Sequence, residues 1–341
     1  MVTINNDNNS DSEVASVIDN IKLLIDRYNQ KKIQRKYAKT KLILYAKTAG
    51  FKNNIYRKQA WDLIIDTPSY DYSIDQNLIE SHEYYGQIKM DVIRTLKRFP
   101  PNYSDSERSD LQDELILIIT KVLLKHEELH YYQGYHDISL TFLLVLGEKL
   151  SLPVIDSITM SHLKYFMEPT MEKTRDSLAY LMPLINCVNS ECAEYMERGG
   201  TGHVIFALPW FITWYSHVLD DLSVILRLYD LFIVSHYLMP IYVAAEIVNY
   251  YADEVLSKNC EIEYIEHSSN KFITRQTFNK NNNYYNHQSL SKKPSILSRV
   301  AFWGVTIAIG GLAIYVWNQA QLLDSSKYIS LGDFLNQFYP T

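Results

Sequence analysis

An all-α domain is what this sequence predicts, and three observations carry the expectation. From Phe51 to about Tyr251 apolar residues recur at helical spacing. Little of that stretch alternates apolar and polar residues as a half-buried strand must. Pro68, Pro100, Pro101, Pro153, Pro169, Pro183, Pro209 and Pro240 break it into helix-length pieces. The expected organisation is a polar tail and basic amphipathic helix over 1–49 and a multi-helical domain over 50–265. A flexible linker over 266–298, a single transmembrane helix over 299–318 and a short lumenal tail over 319–341 follow.

Residues 14–45 open the chain with a stripe of Val14, Val17, Ile18, Ile21, Leu24 and Ile25, the spacing of one helix face. A basic run follows, Lys31, Lys32, Arg35, Lys36, Lys39 and Lys41. It suits either a solvated helix face or contact with anionic lipid. Within the domain, Leu111, Leu115, Ile116, Ile118, Ile119, Val122 and Leu123 mark a strongly amphipathic helix. The stretch Leu140 to Leu146 is apolar on nearly every side, which predicts a central, fully surrounded helix. Residues 266–294 turn to Asn, Ser, Lys and Tyr, too poor in apolar surface to offset the cost of ordering.

Val300 to Trp317 contains no charged residue over eighteen positions, about the minimum for crossing a hydrocarbon core as a helix. Phe302 and Trp303 flank one end, Tyr315 and Trp317 the other, as interfacial aromatics do. Lys292, Lys293 and Arg299 precede the segment, so the positive-inside rule keeps the N-terminal domain in the cytosol. The alternative is a buried core helix; length and isolation behind a polar linker favour a tail anchor.

Composition excludes several classes. A formal charge of −6 with both signs interspersed gives no nucleic-acid footprint. Cys187, Cys192 and Cys260 are odd in number and lack metal-ligand spacing, which fits a reducing compartment rather than a disulfide framework. Residues 1–20 carry no apolar run, so no signal peptide is expected.

Two short stretches carry the chemistry. Ile88, Asp91 and Arg94 spell I-x-x-D-x-x-R, and Tyr131, Gln133 and Gly134 spell Y-x-Q-G, each read as the end of an apolar helix bearing one conspicuous polar group. Together, in this order, they resemble the TBC-domain GTPase-activating proteins that act on Rab GTPases. Arg57 and Trp61 match the family's R-x-x-x-W entry motif, and Arg227-Leu228-Tyr229-Asp230 is similar to its R-x-W-D element, with Tyr229 in place of tryptophan. Tyr135 stands where methionine is more frequent. The spellings DVIRTLKRFPP, HYYQGYHD, FMEPTM and YLMP most resemble the membrane-anchored, endoplasmic-reticulum branch. That resemblance implies an endoplasmic-reticulum address, with the mitochondrial outer membrane as the alternative. The family domain continues through further helices where this chain's apolar pattern fades after Tyr251, so a shortened C-terminal lobe is expected.

The resemblance implies a TBC-type fold and a division of labour. A small GTPase hydrolyses GTP slowly because charge builds on the phosphate oxygens with too few donors and the attacking water is poorly held. Arg94 would supply the missing donors as an always charged fork, and Gln133 would orient the water, both in trans. Asp91, one helical turn before Arg94, can hold the guanidinium. Gly134 permits a tight turn. Tyr131, Trp61 and Arg57 are supports. GTP and magnesium belong to the Rab partner, so no cofactor, no metal and no turnover of the chain's own are implied. A catalytically weak, membrane-tethered Rab-binding scaffold is the second reading.

A rival motif overlaps the second stretch. His126-Glu127-Glu128-Leu129-His130 matches H-E-x-x-H, in which a helix sets two histidines one turn apart to bind zinc. His136 falls where a longer form of that pattern wants a third ligand, but its glycine is required at position 133, which is Gln133.

Overall fold

The computed structural model describes residues 7–67, 76–97, 99–100, 103–199 and 204–257, with side chains from Val14 onward. The linker, the Val300–Trp317 segment, the tail after it and Cys260 lie outside the described residues. Fifteen α-helices and no strand occur among the described residues.

Three N-terminal helices, α1 (Asp7–Asn29), α2 (Arg35–Lys47) and α3 (Asn54–Ile64), pack on one another. The period read over 14–45 is therefore carried by two helices, with Lys31 at φ +58° in the break between them. Ile21, Leu24 and Ile25 of α1 are buried, whereas Val14, Val17 and Ile18 are half-buried. Within the basic run, Lys39 pairs with Asp66 at 2.6 Å and Arg35 reaches the same carboxylate at 3.4 Å.

After the five-residue helix α4 (Gln76–Glu80), α5 (Tyr85–Leu96) buries Ile88, Val92 and Leu96, the i, i+4, i+8 row of one face. It lies along α6 (Asp105–Lys125). Ser104 starts α6 with a reciprocal capping box: its hydroxyl accepts from the Glu107 amide at 3.3 Å and its own amide donates to Glu107 Oε2 at 2.8 Å.

Helix α7 (Tyr135–Leu146) is the central helix, buried at Tyr135, Ile138, Leu140, Phe142, Leu143 and Leu146 and packed against α3, α5, α6 and α8 (Glu148–Ile158). Seven further helices complete the body: α9 (Glu172–Leu178), α10 (Leu181–Val188), α11 (Ser190–Arg198), α12 (Leu208–Ile212), α13 (Leu222–Phe232), α14 (Met239–Tyr250) and α15 (Ala252–Ser257). An aromatic cluster ties α13 and the segment after α12 to α3 and α7. Phe142 lies 5.4 Å from Trp61 and 5.4 Å from Tyr229, while Trp214 lies 5.3 Å from Tyr229 and 5.4 Å from Phe232. Tilted and edge-on pairs of this kind add roughly 0.5–1.5 kcal/mol each beyond burial.

No described helix is long and apolar enough to cross a membrane.

Candidate functional site

Helix α5 presents two faces at its C-terminal end. Ile88, Val92 and Leu96 hold it to the body, while Arg94 points outward with 68% of its side chain exposed. Asp91, one turn earlier, is 7% exposed and sits 3.5 Å from the Arg94 guanidinium. Met90, four residues before Arg94 and so on the same side of the helix, is exposed; sequence reading missed it.

Gln133 does not end a helix. It occupies the turn before α7, and α7 begins only at Tyr135. Gly134 takes φ +116°, a value open to glycine and strained for other residues. A Cβ there would stand 2.9 Å from the Thr213 methyl, so the turn also sits close against the segment after α12. Tyr132 locks the same contact by donating its hydroxyl to the Ile212 carbonyl at 2.9 Å. Gln133 itself is exposed between two buried tyrosines.

A buried polar network joins the two stretches. The Tyr131 hydroxyl donates to Asp91 Oδ2 at 3.1 Å and lies 3.0 Å from His136 Nδ1. On its other side His136 Nε2 meets Thr95 Oγ1 at 3.0 Å, and Thr95 donates to Asp137 Oδ1 at 3.1 Å. Asp137 Oδ2 takes His217 Nδ1 at 3.0 Å. Tyr131 is thus more than the packing support expected of it. His136, Asp137, Thr95 and His217 were not read as part of the site. The signal was a His-Asp pair opening an otherwise apolar helix, where buried polar groups must find partners.

The electrostatics follow from burial and from these partners. Burial, helped by the Asp91 charge, pushes the Tyr131 phenol well above its ordinary range, so it remains a donor. Burial lowers His136 below the usual imidazole value, against the pull of Asp137 and Asp91. Burial alone would raise Asp137, but hydrogen bonds from His217 and Thr95 and the neighbouring His136 leave it below the usual carboxylate range. A cavity of about 210 Å³ lies against this network, lined in part by Thr95, Asp137, Thr141, Ser216 and Asp220.

A second cluster organises the frame behind the site. Asp230 of α13 accepts from Arg57 Nε at 2.9 Å and Nη2 at 3.1 Å, from Trp61 Nε1 at 2.9 Å and from the Phe51 amide at 2.8 Å. Arg57 also donates to the Phe51 carbonyl and to Asn54 Oδ1. Arg227, one turn before Asp230, donates to the Ala46 carbonyl at 3.0 Å and the Thr48 carbonyl at 2.7 Å, satisfying the end of α2. The entry motif and the Arg-Leu-Tyr-Asp element are therefore two halves of one buried clamp.

The H-E-x-x-H segment lacks the helix that its zinc reading needs. Helix α6 ends at Lys125, so His126 and His130 are not stacked one turn apart. His126 Nε2 meets Asp156 Oδ1 at 2.6 Å, and His130 Nδ1 meets the Tyr84 hydroxyl at 2.7 Å. His136 is occupied in the network above. Among the described residues no cluster of His, Cys, Asp or Glu could hold a metal ion.

Among the described residues the body is all-helical, and one buried network joins the helix bearing the exposed Arg94 to the turn bearing the exposed Gln133. The chain belongs to the Rab-GTPase-TBC domain family, whose model matches residues 54–256. TBC1 domain family member 20 of Homo sapiens is 43% identical over 220 residues, covering 64% of this chain and 54% of that relative. GTPase-activating protein gyp10 of Schizosaccharomyces pombe is 35% identical over 156 residues, 42% of each chain. The chain spans about half the length of the curated relatives it matches. The crystal structure of the Chlamydomonas flagellar RabGAP TBC domain shares the fold at a TM-score of 0.61 and 14% identity, covering 89% of this chain and 97% of that one.

Proposed function

We propose that this chain is a GTPase-activating protein for a Rab GTPase of the early secretory pathway, supplying Arg94 and Gln133 in trans to the Rab active site. The observation that carries the reading is the Arg94–Asp91–Tyr131 connection: an exposed charged side chain is tethered to the segment that carries Gln133 through a 3.5 Å ion pair and a 3.1 Å hydrogen bond. Arg94 offers a planar fork of donors to the β- and γ-phosphate oxygens, where charge develops. Gln133 has a donor and an acceptor with which to align a water. Met90 adds an apolar contact beside Arg94 for the incoming GTPase.

GTP and magnesium arrive with the partner, and the chain needs no cofactor of its own. The proposed domain spans 50–265, behind an N-terminal region over 1–49. The proposed address is the endoplasmic-reticulum membrane, through a single span over 299–318 with the domain in the cytosol. The supports are the uncharged Val300–Trp317 run, its aromatic flanks and the preceding Lys292, Lys293 and Arg299. Family membership and GAP-named relatives support the activity.

A panel of GTP-loaded Rabs screened for accelerated phosphate release tests the proposal and identifies the partner. Acceleration of one or a few is expected; saturable binding without acceleration selects the scaffold reading. Removing residues 299–341 is expected to move the protein from membrane to soluble fractions, and an unchanged distribution contradicts the anchor.

A further inference from the structure

Helix α2 divides its cations between two sides. Its buried row, Ala38, Leu42 and Ala46, faces the body, where α2 meets α1, α3 and α13. Arg35 and Lys39 flank that row and reach Asp66 at 3.4 Å and 2.6 Å. At about 100° per residue, the middle of the opposite face falls to Thr40, Leu44 and Tyr37. Lys36 and Lys47 border it on one side and Lys41 on the other. Tyr37 and Leu44 are each 52% exposed, with Lys36, Thr40 and Lys41 exposed beside them. The Lys41 ammonium stands 5.8 Å from the centre of the Tyr37 ring. Lys31 and Lys32, exposed in the turn before α2, add two cations at its N-terminal end. Among the described residues, Lys31, Lys32, Lys36, Lys41 and Lys47 make no ion pair with a carboxylate.

Charge along the chain is equally uneven. Residues 20–50 hold nine Lys and Arg against one acid, Asp26, a net +8 in a chain of net charge −6. All other residues together therefore carry −14.

We propose that this face of α2 lies on an anionic bilayer, with Tyr37 and Leu44 entering the headgroup layer and Lys36, Lys41 and Lys47 meeting the anionic headgroups. An apolar centre bordered by lysines matches an interface that is hydrocarbon below and anionic above. Lysine stems can lie along that layer while their ammonium groups stay among the headgroups. The rest of the chain, at −14, is repelled by the same surface, so α2 marks the end that an anionic bilayer selects. The proposal rests on the membrane address given above: a bilayer that already holds the chain needs only weak attraction to seat the face. Each lysine close to such a surface is worth about fivefold in partition, and the attraction fades within a Debye length of about 8 Å at physiological salt.

The test places the full chain on two vesicles, phosphatidylcholine alone and phosphatidylcholine with phosphatidylserine at about three to one. Lysine acetylation, read by mass spectrometry, reports access to each ammonium. Lys36 and Lys41 should react about five- to tenfold more slowly on the anionic vesicle and recover in about 0.5 M salt. Lys173, held by Glu168 of the same surface segment, should change by about twofold or less. Tyr37→Ser combined with Leu44→Ser should remove most of the protection, with the melting temperature within about 2–4 °C of wild type because both side chains are exposed. Equal reaction on the two vesicles overturns the proposal, as does slowing that is uniform over all exposed lysines or that survives salt. If the double variant does not fold, the wild-type comparison decides alone. Protection that needs no lipid and grows with protein concentration assigns the face to a second copy and also overturns it. Flotation separates this contact from the span. A chain that floats only with anionic vesicles, and only at low salt, lacks the span and keeps the α2 contact. A chain that floats with both vesicles without slowing at Lys36 and Lys41 keeps the span and loses the contact.

Discussion

Replacing Asp230 by asparagine removes one charge and one acceptor from the clamp without changing its shape. In the native protein the carboxylate accepts four hydrogen bonds, from Arg57 Nε and Nη2, Trp61 Nε1 and the Phe51 amide. Both side chains are out of water, at 7% exposure for Arg57 and 0% for Asp230, so solvent screening gives little relief. An amide has one oxygen. Whichever way it turns, two of the four donors face an NH2 group, one of them from Arg57, and the Arg57 charge keeps a single neutral amide oxygen, the Phe51 carbonyl and Asn54 as partners. Breaking a buried pair from one side costs about 3–5 kcal/mol. At about 2–4 °C per kcal/mol for a domain of this size, the melting temperature should fall by about 6–20 °C. Circular dichroism melts of wild type and Asp230→Asn measure this directly. Arg57→Met combined with Asp230→Asn should lose less than the sum of the single changes, because the stranded charge is gone. A drop below about 2 °C, or strict additivity, refutes the clamp as the tie between α3 and α13.

Three further outcomes follow from the site. Tyr131→Phe deprives Asp91 Oδ2 of its donor, at about 1–3 kcal/mol, and should lower the maximal stimulated rate more than Rab affinity, as read by single-turnover titration. Gly134→Ala forces a Cβ to within 2.9 Å of the Thr213 methyl at φ +116°; about 1–3 kcal/mol of stability and most of the stimulation should go, measured by melting and by phosphate release. Stability should also fall on mild acidification. Burial lowers His136 and His162, so the unfolded chain takes up protons first. Their contribution is complete above about pH 6.5 and is lost as pH drops through the folded values. Melts between pH 7.5 and 5 should show the decline, and His162→Gln should flatten part of it.

Much of the fold was legible because helices write their period into the sequence. The uninterrupted apolar character of Leu140–Leu146 marked the central helix, and the stripe from Leu115 to Leu123 marked the buried part of α6, with Leu111 half-buried. The short spacing of Asp91 and Arg94 put them one turn apart. Long-range partners were not legible. Nothing local connects Asp230 to Arg57 and Trp61, some 170 positions away, although a carboxylate inside the apolar Leu222–Phe232 segment demands a partner. His136 drew attention as a metal ligand because H-E-x-x-H lay nearby; Gln133 in place of the pattern's glycine already spoke against it, and the end of α6 at Lys125 and the partners of His136 remove that reading. The break after Asn29 has no proline or glycine to announce it.

The most direct measurement is single-turnover GTP hydrolysis by a stimulated Rab with saturating wild type, Arg94→Lys or Gln133→Ala. Wild type should accelerate hydrolysis by about 10³–10⁵, some 4–7 kcal/mol of barrier. Arg94→Lys should lose most of that, because a point charge cannot form the planar fork. Gln133→Ala should lose nearly as much while Rab binding remains measurable. Wild-type rates in either variant would contradict the account at its centre, since the side chain concerned would then have no part in the reaction.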